Sequence, residues 1–299
     1  MPRIPDSMIP ILRERMMKMK QAPEPDPVET ERKLMNFAGA AMRNLLRKGT
    51  TRKVIPLEHC RAALLVPKTV SCEGAVMYLH GGGYCTGDLD YASLYGEVLA
   101  SDTGAVTFCP AYRLAPEEPY PAALDDALEA YEWILNAYPG KPVSLIGESA
   151  GGGLCYALAV KLKEKGLPLP AGIAALSPWT DLTLSGDSYA YNREADPSLT
   201  AEKLAVFAAD YCAGTDPSDP FVSPLFADLR GLPESLIFAG GDEILLDDAV
   251  RMKAALEAAG CQAELTVADG LWHAYVLYGL KAREADSERI RDFLRSRSQ

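Results

Sequence analysis

Ser149 stands at the centre of Gly147-Glu148-Ser149-Ala150-Gly151, between an apolar run at 143–146 and a small-residue helical pattern at 154–165. Strand, tight turn and helix in that order make a nucleophile elbow, whose glycines let the helix close on the strand while the central residue takes a strained conformation. The serine hydroxyl then sits at the positive end of a helix. It is a useful nucleophile only if a base removes its proton during attack, so the motif demands a histidine. The chain has three, His59, His80 and His273. Where an elbow carries the nucleophile, the chain order is serine, acid, histidine, and only His273 follows Ser149. It lies in Asp269-Gly270-Leu271-Trp272-His273-Ala274, after the last strand pattern. A carboxylate must orient its imidazole, and 240–248 supplies Asp242, Glu243, Asp247 and Asp248. The last two suit the first turn of a helix, where negative charge complements the macrodipole. Asp242 and Glu243 remain. A further stretch, His80-Gly81-Gly82-Gly83-Tyr84, ends an apolar run at 75–79, and glycines there free backbone N–H groups to hold a developing oxyanion.

These residues must be carried to one edge of a sheet. Strand patterns at 51–56 and 61–66 suggest a hairpin across 57–60, and further strands are expected at 75–79, 105–109, 143–146, 173–176, 235–239 and 263–267. Helical patterns at 122–137, 247–259 and 281–297 alternate with them, which points to a mostly parallel sheet with crossovers on both faces. Asp26-Pro27-Val28-Glu29 reads as a capped helix start, with Gly49 as a stop. The stretch 183–216 has no strand signal and one helical pattern at 201–211 behind Thr200. An insertion there would lie over the crevice at the strands' carboxyl ends. The expected division is therefore a helical cap segment at 1–48 and a catalytic domain at 49–299 with a cap insertion at about 183–216.

The 30 basic and 41 acidic residues give a net charge of −11, which argues against nucleic acid and anionic membrane as partners and for a small uncharged or weakly cationic substrate. Seven cysteines without C-x-x-C spacing read as reduced core residues. Neither a signal peptide nor a membrane span is recognisable, so a cytoplasmic location is expected.

Six stretches together resemble the hormone-sensitive-lipase-like branch of the α/β-hydrolases: His80-Gly81-Gly82-Gly83, Tyr112-Arg113-Leu114-Ala115-Pro116-Glu117, Gly147-Glu148-Ser149-Ala150-Gly151-Gly152, Ser177-Pro178-Trp179-Thr180-Asp181-Leu182, Asp219-Pro220 through Ser223-Pro224-Leu225, and the His273 loop. They span roughly 60–275. The resemblance implies an eight-stranded sheet under a helical cap and hydrolysis of short- to medium-chain carboxylic esters without cofactor or metal. It implies Ser149 as nucleophile, His273 as base, and the N–H groups of Gly82, Gly83 and Ala150 as oxyanion donors. Aligning Leu245 and Asp247 with the family's acid segment puts Glu243, rather than Asp242, at the acid position. Glu148 departs from the usual aspartate. Members of the branch often pair through their last strand, which implies a homodimer across 263–267. Tyr84, Cys85, Tyr189, Tyr191, Phe207, Tyr211, Trp272 and Tyr275 are candidate pocket residues, with core packing as the competing reading, and Cys85 would confer sensitivity to thiol reagents. Amide hydrolysis, acyl transfer, an interfacial lipase and a silent ligand-binding protein are the alternatives; the last lacks the histidine in related receptors.

Overall fold

The computed structural model describes residues 3–22, 25–46 and 49–299. The helices α1 (Ile9–Lys20) and α2 (Pro27–Leu46) precede the hairpin β1 (Thr50–Pro56) and β2 (Arg61–Pro67). There follow β3 (Ala75–Leu79), α3 (Leu89–Thr103), β4 (Val106–Ala111), α4 (Ala122–Ala137), β5 (Val143–Glu148), α5 (Ala150–Lys165) and β6 (Ile173–Leu176). The insertion carries α6 (Ser188–Tyr191) and α7 (Ala201–Cys212), before β7 (Ser235–Gly240), α8 (Leu246–Ala258), β8 (Ala263–Ala268) and α9 (Glu284–Ser296).

One eight-stranded sheet runs in the order β1-β2-β4-β3-β5-β6-β7-β8, antiparallel at β1-β2 and β2-β4 and parallel from β4 onward. The central strands are apolar and buried on both faces, as a parallel sheet requires. Their side chains alternate between two clusters: Met77 and Leu145 meet α4 and α5 on one face, while Val76, Tyr78 and Ile146 meet α3 and α9 on the other. From β3 the chain steps outward to β4 and returns across to β5. That reversal opens a crevice at the carboxyl ends of β3 and β5, the place where such sheets bind ligands.

The strands fall where the short apolar runs put them. Leu57 N–H donates to Cys60 O (3.0 Å), closing the expected hairpin. Two differences have physical causes. The elbow helix begins at Ala150, immediately after the serine, since Gly151 to Gly153 continue it without a side chain to obstruct the neighbouring backbone. The region 281–297 begins with a 3-10 turn at Lys281–Arg283, and α9 starts only at Glu284. Asp26 Oδ1 accepts Glu29 N–H (2.9 Å) at the start of α2 and Thr200 Oγ1 accepts Lys203 N–H (3.0 Å) at the start of α7, so both expected caps are made. The expected stop of α2 before Gly49 falls on 47–48, outside the described residues.

Candidate active site

Ser149 has φ 55° and ψ −124°, a conformation that L-residues rarely adopt and that the surroundings must enforce. Its N–H donates to Leu176 O on β6 (2.9 Å), and its carbonyl accepts the N–H groups of Trp179 (2.9 Å) and Gly153 (3.1 Å). A Cβ on Gly147 would run into the Gly151 carbonyl, and one on Gly151 into the carbonyl oxygens of Leu79 and His80. Glycine at both positions therefore lets α5 rest directly on β3 and β5. The serine, 8% exposed, stands immediately before the first residue of α5, and its side chain makes no capping hydrogen bond.

The loop after β3 lies beside it: a Cβ on Gly81 would come within 3.1 Å of Ser149 Cβ. Gly81 N–H donates to Glu148 Oε1 (2.6 Å), so the residue before the serine anchors the glycine loop. Burial pushes the Glu148 carboxyl up to about 7, against the Gly81 bond that favours its charged form. Gly82 and Gly83 turn with φ 111° and 60°. The Gly82 carbonyl is taken up by Cys85 N–H, Thr86 N–H and the Thr86 hydroxyl (3.1, 3.0 and 2.9 Å). The N–H groups of Gly82, Gly83 and Ala150 donate to no acceptor among the described residues. His80 is stacked on Tyr112 (centroids 4.2 Å apart), whose hydroxyl donates to His80 O (2.7 Å); burial pushes this imidazole down to about 4. It stays neutral and structural.

The two candidate carboxylates have different surroundings. Asp242 Oδ2 is ion-paired with the Arg13 guanidinium at 2.7 Å and is partly exposed. Glu243 is fully buried, and its Oε2 lies 3.7 Å from His273 Nδ1. That separation exceeds a hydrogen bond. Both Glu243 Oε1 and His273 Nδ1 lack hydrogen-bond partners among the described residues. Glu243 Oε2 also accepts the Ser177 hydroxyl (2.6 Å) and Gly240 N–H (3.2 Å). Burial pushes Glu243 well above the usual carboxylate range and His273 down to about 4.

Several site-building residues escape the sequence reading. Ser177 (φ 47°) sits between acid and base: its hydroxyl donates to Glu243 while its oxygen accepts Ala274 N–H (2.9 Å). From the insertion, Asn192 Nδ2 donates to Gly241 O and Glu243 O (both 2.9 Å), and the buried Asp196 accepts Ile244 N–H (2.9 Å). The insertion thus braces the loop at 241–244. Asp248, in the first turn of α8 as expected, accepts the N–H groups of Thr180 and Asp181 (2.8 and 2.9 Å), tying the Ser177 turn to the acid helix. The only signal for Ser177 was its position in Ser-Pro-Trp at a strand end; Asn192 and Asp196 gave none.

Two pocket expectations are corrected. Trp272 is fully buried in the cluster on the α3 and α9 face and packs edge-on against Tyr278, so it is a packing residue. The Cys85 thiol is fully buried and pushed up to about 12, which denies it the thiolate that a reagent would attack. Tyr84 is 1% exposed and stacks on Tyr211 (3.8 Å), while Phe207 lies so close to Gly83 that a Cβ there would enter its ring.

Comparison with known proteins agrees with this architecture. A family model described as the alpha/beta hydrolase fold matches residues 76–277. An acetyl-hydrolase of Streptomyces hygroscopicus is 38% identical over 209 residues, 69% of each chain. A crystal structure of an esterase from the bacterial hormone-sensitive lipase family superposes with a TM-score of 0.91 at 33% identity, covering 98% of this chain and 99% of that one. A crystal structure of EstE5 soaked with p-nitrophenyl butyrate has a TM-score of 0.85 at 32% identity, covering 97% and 98%.

Proposed function

Since the chain belongs to the hormone-sensitive-lipase-like branch of the α/β-hydrolases and is a carboxylic ester hydrolase, we infer that Ser149, His273 and Glu243 form its catalytic triad and that its substrates carry short to medium acyl chains. The observation that carries this reading is the buried Glu243 carboxyl 3.7 Å from His273 Nδ1, with Asp242 already committed to Arg13. Ser149 Oγ attacks the ester carbonyl carbon as His273 Nε2 takes its proton. The carbonyl π pair moves onto oxygen, where Gly82, Gly83 and Ala150 N–H groups meet it. Losing one such donor typically costs about 10²–10³ in turnover. As the oxyanion collapses and the bond to the alcohol oxygen breaks, the imidazolium, held by Glu243, protonates the departing alkoxide; the imidazole then takes a proton from the water that attacks the acyl-enzyme and returns it to Ser149 Oγ as the acid leaves.

The acyl preference follows from α7. Phe207 and Tyr211, one turn apart, lie against Gly83 and Tyr84 of the oxyanion loop, which puts α7 beside the acyl side of the site. Segments 1–48 and 183–216 act as the cap over the domain 49–299. The exposed outer edge of β8 suits pairing of two copies, checked by solution mass at micromolar concentration, and seven free thiols suit a reducing cytoplasm. Among the described residues no helix is long and apolar enough to cross a membrane.

Hydrolysis of p-nitrophenyl acetate, butyrate, octanoate and palmitate tests the reading. Short esters should turn over fastest. Ser149→Ala and His273→Ala should abolish turnover, and Glu243→Gln should lose far more than Asp242→Asn. Equal losses in the two carboxylate variants would refute the assignment of the acid.

A further inference from the structure

We propose that Arg13, on the amino-terminal helix, is a positioning residue that sets the spacing of Glu243 and His273. The inference rests on the triad reading. One guanidinium bridges three separate segments: Nη1 donates to Gly270 O in the histidine loop (3.1 Å), and Nη2 donates to Ala195 O in the insertion (2.5 Å) and pairs with Asp242 Oδ2 in the acid loop (2.7 Å). Gly270 lies three residues before the base, Asp242 immediately before the acid, and Ala195 immediately before the Asp196 carboxylate that accepts Ile244 N–H. A planar guanidinium spreads its N–H donors over a rigid fork and so fixes the oxygens in one plane, whereas an ammonium presents its three donors from a single rotating atom.

The helix bearing Arg13 is itself docked. Ile4 N–H donates to Gly279 O (3.0 Å), Lys281 N–H donates to Ile4 O (2.9 Å), and Lys20 Nζ donates to Arg193 O (2.7 Å) and Asp196 O (2.6 Å). Ile9, Leu12 and Met16 pack against the cluster that contains Trp272. Backbone bonds between the two loops, Gly241 N–H to Ala268 O (2.8 Å) and Asp242 N–H to Leu271 O (2.9 Å), align their bases. Arg13 joins the same loops from the side-chain direction, next to the open Glu243–His273 gap. Asp242, the rejected candidate for the acid, thereby acquires a role as the anchor of this bridge.

Steady-state hydrolysis of p-nitrophenyl butyrate by full-length variants tests the proposal. Arg13→Ala should lower kcat by about 10- to 100-fold, the scale of a small misplacement of catalytic groups, with KM little changed. Lys18→Ala, which removes an exposed ion pair with Glu14 on the same helix, should leave kcat intact. Millimolar guanidinium chloride should restore part of the Arg13→Ala rate, and equal sodium chloride should not. Asp242→Ala, which removes the acceptor as well as the charge, should lower kcat in the same direction, and adding it to Arg13→Ala should cost no more, since both open one bridge. If Arg13→Ala does not fold, Asp242→Ala carries the test, because it frees the acid loop from Arg13 and leaves α1 in place. An Arg13→Ala kcat equal to that of Lys18→Ala, or a foldable Asp242→Ala with native kcat, overturns the role. Glu243→Gln at native activity overturns the triad and Arg13 together; an inactive Glu243→Gln beside a fully active Arg13→Ala overturns Arg13 alone.

Discussion

At the scale of single residues, the site depends on buried groups whose charge is discouraged until a reaction needs it. His273 is pushed down to about 4 by burial, against the neighbouring Asp196 charge that favours its protonation. A base must be neutral to accept the Ser149 proton. The acid limb of kcat/KM set by His273 should therefore lie below the ordinary histidine value of 6.5. A limb at 6.5 or above would contradict this environment for His273. Ser177 is the second test at this scale. Ser177→Ala removes a donor from Glu243 and leaves Ala274 N–H without its acceptor, so kcat should fall by about tenfold or more while KM changes little. The sequence showed the serine, the glycine loop and the histidine because each sits at a strand end in a short motif. Residue types and spacing alone left Asp242 and Glu243 both open, because adjacent carboxylates differ only in what surrounds them, and the family resemblance favoured Glu243.

At the scale of elements, α5 and α7 do most to shape the site. The glycines of α5 let it rest on the backbones of β3 and β5, which holds Ser149 in its strained turn beside Gly81. Over the same loop, α7 lays Phe207 on Gly83 and stacks Tyr211 on Tyr84. Phe207→Ala should move the optimum of kcat/KM toward longer acyl chains, read as a rise in the octanoate-to-butyrate ratio. An unchanged ratio would detach α7 from acyl selection. Strands were legible because apolar runs bounded by turns recur along the chain. The helix α3 was not, since Leu89, Ser93, Gly96, Glu97 and Thr103 are all buried in it and no single apolar stripe results. The insertion was legible only as a cover. Asn192 and Asp196 are polar residues in a strandless stretch, and only their burial against the acid loop reveals them as braces.

For the molecule as a whole, buried carboxyls couple the site to stability. Glu148 and Asp248 are both pushed up to about 7 by burial. A group whose pKa is higher folded than unfolded contributes stability that is present in acid and lost as pH rises through the folded value. For Glu148 that window runs from its ordinary 4.5 to about 7. His80 and His273 work in the opposite sense as pH falls from 6.5 to about 4. Comparing a single variant with the native protein isolates one group. Glu148→Gln keeps an acceptor for Gly81 N–H and removes the titration, so its Tm relative to the native protein should be higher at pH 8 than at pH 5. The difference in stability should be on the order of 1–3 kcal/mol. A pH-independent difference would show that Glu148 carries no such penalty.

The central claim is an acyl-enzyme formed on Ser149, and the most direct measurement is the mass of protein quenched in acid during turnover of p-nitrophenyl butyrate. The account predicts a fraction of the chain heavier by one butyryl group, located by peptide mapping to the segment that contains Ser149 and absent in Ser149→Ala. Rapid turnover that persists in Ser149→Ala, or an adduct on another residue with Ser149 unmodified, would contradict it.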